Sequence, residues 1–452
     1  MNLYGKIYRN ILWPIYENVR GRRTHRLLKL VEKNQWKRPE ELAEFQLSEL
    51  QSLLHHTYKN SRWYRSRFEE RGIFPSDIRT TEDFAKLPLV SREDIRRNRD
   101  TMLCGNYKGR VFEHKTGGST GVPLQFYMTR ESYEWRNAVS LRGYGWAGAT
   151  EGTKAFYLWS MPADIPPLAQ RLKASLHQLV IRHRFFNSFR LSRADLPICL
   201  ESLNNFSPKV LVGYSHMLEL LARYIQKHGG LRVKLKSVIT AAEGVTDSQR
   251  QLLREVFEAP VFASYGCREF KLIAMECEQQ NFHINSDNLL VECLHRGEMS
   301  EEGALGEVVI TDLHNLGMPF IRYRLGDLAS RKDKMCSCGR GLPLFESVQG
   351  RIADTIQTPD GRLVSGLFFP HLLKEFHFVE QFQVKQPQLD ELVVKLVVSD
   401  REKYSNELSR IESQIRSVVG NKIRISFNLC NDIPCTSTGK RRVVVSEIPV
   451  EI

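Results

Sequence analysis

The chain has 452 residues, 42% of them hydrophobic and 26% charged, which is enough to bury a large core and too long for one ordinary compact domain, so two or more domains are expected. No run approaches about 18 uninterrupted apolar residues, and residues 1–23 lack both a continuous apolar core and a small-residue cleavage site, which argues against a membrane-spanning or secreted chain and makes the cytoplasm the expected compartment. Nine cysteines, odd in number and unevenly spaced, argue against a disulfide framework and for reduced thiols with room for a metal among them, while a net charge of +13 raises the question of an anionic partner.

That charge is concentrated at the start. Up to position 35, Lys6, Arg9, Arg20, Arg22, Arg23, Arg26, Lys29 and Lys33 stand against Glu17 and Glu32, which puts +6 there and leaves the remainder only mildly basic. Leu3, Ile7, Ile11 and Ile15 recur every fourth residue with Tyr4, Tyr8, Trp13 and Tyr16 between them, the pattern of an amphipathic arm, with an interruption expected at Pro14. The ordinary reading packs the arm's apolar side on the main domain; the competing one is peripheral contact with anionic lipid. A nucleic-acid role ranks last, because no recognised binding motif accompanies the charge.

From Glu41 to Phe68 the spacing of Leu42, Phe45, Leu50, Leu53 and Leu54 predicts helices with a break near Asn60 and Ser61, completing a helical, basic lead-in over residues 1–68. Val111 to Lys115 reads as a strand, Thr116 to Gly121 as a glycine and hydroxyl loop, and Pro123 to Tyr127 as a second strand. The short apolar runs 210–214, 237–241 and 261–265 alternate with helical stretches at 217–228 and 248–257, which points to an α/β region with a buried sheet. Ligands in such sheets collect beyond the carboxyl ends of the strands. Runs at 289–294, 307–311 and 320–324 predict a β-rich part, closer to a barrel or antiparallel sheet. Beyond Gly350 and Arg351 come a hairpin at Pro359-Asp360-Gly361, a strand at 392–398, a helix at 405–418 and a strand at 423–427. The expected architecture is therefore α/β, with a large multi-subdomain region over residues 1–349 and a small α+β domain over 350–452.

Four segments carry the chemistry. Thr116, Gly117, Gly118, Ser119, Thr120 and Gly121 offer unobstructed backbone amides and hydroxyls of the type that wraps phosphate oxygens, although such clusters are more often plain turns and no Gly-Lys-Ser/Thr follows as in a Walker loop. Tyr265-Gly266-Cys267-Arg268-Glu269 places an aromatic ring four residues before a carboxylate suited to Mg²⁺, where spacing alone favours a strand end with a solvated charged pair. Asp327 follows Gly326 in what is usually a turn, yet a carboxylate can accept both hydroxyls of a ribose. Cys435 to Arg442 is a small-residue loop presenting Lys440, and by composition it passes for a surface loop.

Taken together, the order and separation of these segments resemble the adenylate-forming superfamily of acyl-CoA synthetases, firefly-type luciferases and adenylation domains, and within it the branch of phenylacetate-CoA ligases and capsular-polysaccharide CapK-like proteins. The resemblance covers most of the chain, including the helical lead-in from Gln46 to Tyr64. It implies the adenylate-forming ligase fold with a mobile C-terminal domain, and use of ATP, Mg²⁺ and CoA. It also implies roles position by position. Thr116 to Gly121 would close over the β- and γ-phosphates, Ala242, Glu243 and Gly244 would pass the adenine, and Tyr265 with Gly266 would stack on it. Glu269 would hold Mg²⁺, Asp327 would bind the ribose, Arg351 would stand at the domain junction, and Lys440 would bridge the attacking carboxylate and the α-phosphate.

Some positions depart from the family pattern. Arg268 replaces a Ser or Thr beside the α-phosphate, Leu325 replaces a Thr, and the hinge acid expected two residues after Arg351 is Ala353, with Asp354 one residue later. Thr358 to Gly361 also differs from the glycine-containing loop with which phenylacetate ligases meet CoA. Cys336 and Cys338 form a knuckle-like turn, and with Cys277 and His283 they make a Cys₃His set suited to structural Zn²⁺. Buried free thiols are the ordinary alternative; the resemblance implies zinc, with the role of pinning the loop after Asp327. Trp146, Gly213, Tyr214, Ser215 and Ala242 are candidates for the pocket of the small-molecule carboxylic acid.

Three functions follow. The first is activation of the acid as an acyl-AMP with transfer to a thiol, most simply CoA. The second keeps the first step but passes the acyl or adenylyl group to another acceptor in surface-polysaccharide biosynthesis. The third, a non-catalytic nucleotide-binding scaffold, is opposed by the joint presence of Glu269, Asp327 and Lys440.

Overall fold

The computed structural model describes residues 3–107, 110–115, 124–159, 168–187, 195–242, 244–351, 356–360, 363–364, 368–373, 375–376, 378–434 and 443–448. The lead-in is helical: α1 (Leu3–Ile7), a π turn (Tyr8–Leu12), α2 (Trp13–Arg20), α3 (Thr24–Asn34), α4 (Pro39–Asn60), α5 (Arg62–Arg71), α6 (Thr81–Ala85) and α7 (Arg92–Met102). Pro14 does not interrupt the arm as the sequence suggests. The chain runs helically through it, with Leu12 and Trp13 both in right-handed helical dihedrals, and the irregularity is confined to the π turn just before it. The expected break between α4 and α5 is present, made by Ser61 in an extended conformation with its hydroxyl accepting from the Tyr64 amide at 3.5 Å.

β1 (Val111–Lys115) and β2 (Gln125–Thr129) form an antiparallel hairpin in which Lys115 faces Gln125, so they bracket the loop between them. α8 (Arg130–Trp146) follows and is tied into the core by two buried ion pairs. Arg136 reaches Asp312 at 2.5 Å, and Arg142 binds Asp287 at 2.7 and 2.9 Å while also donating to Asn285. Removing one partner of such a pair leaves an uncompensated buried charge, at a cost of about 3–5 kcal/mol.

Five parallel strands then alternate with helices: β3 (Ala155–Trp159), α9 (Leu168–Ile181), β4 (His183–Asn187), α10 (Leu196–Phe206), β5 (Val210–Tyr214), α11 (Ser215–His228), β6 (Ser237–Ala241), α12 (Asp247–Phe257) and β7 (Val261–Cys267). They lie in the order β4-β3-β5-β6-β7. Every residue of β5 and β6 is buried, which is why both read as continuous apolar or β-branched runs without alternation.

From β7 the same sheet continues antiparallel through β8 (Lys271–Glu276), β9 (Phe282–Ile284), β10 (Leu289–His295), β11 (Glu298–Met299), β12 (Leu305–Asp312), β13 (Tyr323–Lys332) and β14 (Leu344–Arg351). Among the described residues this makes one twelve-stranded sheet, ordered β11-β10-β12-β13-β14-β9-β8-β7-β6-β5-β3-β4. The β-rich part is thus an extension of the α/β sheet, not a barrel. The run expected at 320–324 becomes strand only at Tyr323. Before it, Arg322 adopts φ +50° and buries its guanidinium against Glu292 at 2.9 Å.

The C-terminal part is a small α+β unit: β15 (Ile356–Gln357), β16 (Leu363–Val364), α13 (Phe368–Leu373), β17 (Val379–Gln388), β18 (Glu391–Val398), α14 (Arg401–Val419), β19 (Arg424–Leu429) and β20 (Val444–Ser446). β15 and β16 form the expected hairpin, and the other strands are ordered β19-β18-β17-β20. This unit has its own apolar cluster, with Ile356, Phe369, Leu392, Leu396, Ile411 and Ile415 at its centre.

Candidate active site and metal centre

The parallel strands deliver Trp159, Tyr214, Ala241 and Ser264 to one edge of the sheet. There β7 breaks its regular pairing with β8 at a bulge between Tyr265 and Gly266. Gly266 is required by space: a Cβ on it would lie 1.9 Å from the Lys271 carbonyl oxygen. The bulge aims the Tyr265 hydroxyl at β13, where it donates to Asp327 Oδ2 at 2.8 Å, and the Tyr265 ring meets Phe345 of β14 edge-on at 5.9 Å. Asp327 is set by a kink of its own, with Gly326 at φ +79° just before it. It is 6% exposed and lies directly across from Arg351 in the β13–β14 ladder.

Glu269 closes the group. It is 3% exposed, and Arg92 Nη1, from the first residue of α7, lies 3.9 Å from its Oε1. The segment before α7 pairs with the start of β13, since the Val90 amide donates to the Arg322 carbonyl and the Arg324 amide donates to the Val90 carbonyl, each at 2.9 Å. Arg92 therefore stands beside the strand that carries Asp327, and Glu269 and Asp327 belong to the same region of the molecule. Arg268 is exposed and its guanidinium donates to the Lys115 carbonyl at 3.3 Å, one residue before the Thr116–Gly121 loop. Thr116 to Gly121, Glu243, Ala353, Asp354 and Lys440 lie outside the described residues, as does the side chain of Arg351.

The structure gathers four of the five pocket candidates and separates the fifth. Gly213 lets β5 approach its neighbours: a Cβ there would come within 3.0 Å of Leu158 and 3.1 Å of Leu218. Next to it the Tyr214 ring stacks on Trp159 at 4.8 Å and lies nearly parallel to His216 at 6.3 Å, with Ser215 buried beneath. Ala242, at φ +63°, turns the chain away from the end of β6, and Gly244 follows within the same exposed turn. Trp159 and His216 are the residues that sequence reasoning missed; the available signal was an aromatic residue at a strand's carboxyl end.

Trp146, by contrast, packs against the cysteine cluster. Its indole N–H donates to Gln35 Oε1 at 2.8 Å, its ring meets His283 edge-on at 5.5 Å, and the Arg340 guanidinium sits 4.7 Å from its centre with Trp36 on the other side at 5.1 Å. A cation held between two indole faces closes the cluster from above.

Beneath it, one ligand atom each from Cys277, His283, Cys336 and Cys338 lies within 4.8 Å of the others. Cys277 Sγ and Cys336 Sγ are 3.7 Å apart, and Cys338 Sγ is 3.2 Å from His283 Nε2. Ligands bonded at zinc distances to one tetrahedral centre would sit about 3.3–3.8 Å apart, so the set fits that ion. The outer shell fits as well. The His283 Nδ1–H donates to the Leu342 carbonyl at 3.2 Å, leaving the Nε2 lone pair facing the sulfurs, and the amides of Gln279 and Cys338 donate to Cys277 and Cys336. Burial pushes the Cys277 thiol up and the His283 imidazole down to about 4, so the ring is neutral, the form a metal requires, at physiological pH.

The chain is similar to several known proteins. The model of the CapK C-terminal domain matches residues 356–447. Protein CapK of Staphylococcus aureus is 24% identical over 422 residues, covering 90% of both chains. The phenylacetate-coenzyme A ligase of Pseudomonas putida is 24% identical, covering 87% of this chain and 91% of its own. Among solved structures, a 2-hydroxyisobutyryl-CoA ligase in the postadenylation state, in complex with 2-HIB-AMP, aligns with a TM-score of 0.73 at 19% identity, covering 92% of both chains.

Proposed function

We propose that the chain, which is similar to CapK and to phenylacetate-coenzyme A ligases, is a member of that branch of the adenylate-forming superfamily, and that it carries out ATP-dependent activation of a carboxylic acid to an acyl-AMP with release of pyrophosphate, followed by transfer of the acyl group to the thiol of CoA. The observation that carries this reading is the Tyr265 hydroxyl resting on the Asp327 carboxylate at the carboxyl edge of a parallel sheet, with Glu269 in the same region. A flat ring and a ribose-binding acid side by side suit a nucleoside.

In this reading Tyr265 lies against the adenine, Glu243 and Gly244 border it, and Asp327 accepts the ribose hydroxyls. Both the attacking carboxylate and the α-phosphate are anionic, so their approach has to be neutralised and held in line. Lys440 bridges the two anions, and the amides of Thr116 to Gly121 orient the pyrophosphate. Glu269 would hold Mg²⁺, which when bound would supply further positive charge for the phosphates. Arg268, in place of a hydroxyl, holds the Lys115 carbonyl and so steadies the entry to the phosphate loop. The acid is taken against the aromatic wall of Trp159 and Tyr214. Residues 350–452 act as the mobile domain, turning near Ala353 and Asp354 to withdraw Lys440 once the acyl-AMP has formed. Cys277, His283, Cys336 and Cys338 would hold Zn²⁺, whose role would be to fix the chain between β13 and β14 and not to take part in the chemistry.

A second reading keeps the adenylation and changes the acceptor to one used in surface-polysaccharide biosynthesis. The match of residues 356–447 to the CapK C-terminal domain is the support for it. Incubation with ATP, Mg²⁺, a suitable acid and CoA decides between them. A thioester detected by mass spectrometry is the expected product; an acyl-AMP that accumulates and is left intact by CoA selects the second reading.

A further inference from the structure

The N-terminal arm has two faces, and only one of them is used by the fold. Its aromatic side packs inward: Tyr4, Tyr8 and Trp13 form a ladder with ring centres 6.2 and 6.3 Å apart, and Trp13 is 8% exposed and donates to Glu17 at 3.0 Å. Glu17 also accepts from the His25 amide at 2.8 Å, the Tyr4 hydroxyl donates to the Val180 carbonyl at 2.6 Å, and Gly152 lies against Gly5 so closely that a Cβ would come within 2.9 Å. The arm is therefore pinned to the body by its rings.

Its aliphatic side is left out. Leu3, Ile7, Ile11, Ile15 and Val19, spaced four apart, are 75, 40, 52, 59 and 80% exposed. In a plain α-helix every fourth residue drifts by about 40°, which would spread this row around the axis. The wider π turn at Tyr8–Leu12 turns the chain back and keeps the row together. Leu176 and Leu179 of α9, exposed by 63 and 73%, adjoin the row where Tyr4 meets Val180. The charges beside it have one sign. Lys6, Arg20, Arg22, Arg23, Arg26, Lys29 and Lys33 are exposed, whereas Glu17 is buried and Glu32 is held by Arg9.

The geometry points to an anionic bilayer surface as the partner of this face. The arm lies in the interface with its aliphatic row in the acyl boundary and its arginines and lysines among lipid phosphates. A row of bare aliphatic side chains flanked by cations is the composition of a helix that rests on a membrane, and no helix among the described residues is long and apolar enough to cross one. A second copy of the chain fits poorly, because apposing two such faces sets like charges against each other. A nucleic acid would use the cations and leave the aliphatic row in water.

The test uses the full chain and sedimentation with vesicles of phosphatidylcholine alone or mixed with phosphatidylglycerol. Binding to the mixed vesicles is expected to be at least about tenfold stronger than to neutral ones and to weaken with salt. The triple substitution Ile11→Glu, Ile15→Glu, Val19→Glu is expected to lower it by about tenfold or more with the melting temperature little changed, since these side chains are 52, 59 and 80% exposed. The inference is overturned if the chain stays in the supernatant with mixed vesicles at low salt, if the triple variant binds them as well as the parent, or if the arm instead retains duplex DNA or supports a dimer that the same variant disperses. Because the readout is binding, its failure is separate from a failure of the ligase reading.

Discussion

Lys440→Ala is expected to lower the rate of acid-dependent pyrophosphate release by roughly two to three orders of magnitude while leaving the dissociation constant for ATP within about threefold of the parent's. The reasoning is electrostatic. Adenylation brings a carboxylate against a phosphate, and the cation placed between them is worth far more in the transition state than in the nucleotide complex, where Asp327, Tyr265 and the phosphate loop carry the binding. Lys440 lies outside the described residues, so the prediction rests on its position in the sequence and on the proposed nucleotide site at the Tyr265–Asp327 hydrogen bond. Titration of ATP binding alongside single-turnover pyrophosphate release separates the two effects. Equal losses in binding and rate would remove the assigned role.

Cys336→Ser is expected to reduce zinc from about one ion per chain to near none and to lower the melting temperature by about 5 °C. Cys336 is the sulfur at the centre of the set, 3.7 Å from Cys277 and accepting from the amide of Cys338 and the Asn281 side chain at 3.5 and 3.3 Å. Without the ion, the Cys277 and Cys338 sulfurs and the His283 imidazole face one another with nothing to bind them together, and the 333–343 turn loses its anchor. Protection of those amides from hydrogen exchange should fall with it, while β5 and β6, buried along their whole length, keep theirs. Metal analysis by plasma emission reads the first effect directly; unchanged zinc in the variant, or none in the parent, contradicts the site.

How much of this was legible beforehand depended on how local each signal was. β5, β6 and β7 were readable because strands buried on both faces are short apolar runs between amphipathic helices. β3 and β4 were missed: Ala155–Trp159 and His183–Asn187 are separated from their neighbours by long stretches without a sharp period. The continuity of the sheet was hidden for another reason. It turns from parallel to antiparallel at β7, and the bulge at Gly266 that accompanies the change depends on a carbonyl from Lys271, which no pattern in the strand itself records.

The same distinction holds at the two centres. Tyr265, Glu269 and Asp327 were each weak in isolation and gained meaning from their order along the chain; the contact between Tyr265 and Asp327 spans 62 residues. The Cys336 and Cys338 turn was visible locally, and its partners Cys277 and His283, more than 50 residues upstream, were named as a long-range set that gained weight from the family resemblance. Trp146 went to the wrong neighbourhood because Gln35, His283 and Arg340, which determine its setting, are all more than 100 residues away in sequence. Pro14 reads as a break because proline lacks the N–H of the helical ladder; the structure keeps the arm helical through it, with a π turn immediately before it that no residue pattern announces.

Exchange of labelled pyrophosphate into ATP, measured across a panel of aryl and aliphatic acids, tests the central claim most directly. The account predicts exchange that requires both Mg²⁺ and a particular acid, and that collapses in Asp327→Ala. Exchange absent with every acid, or present and untouched by that substitution, would contradict it.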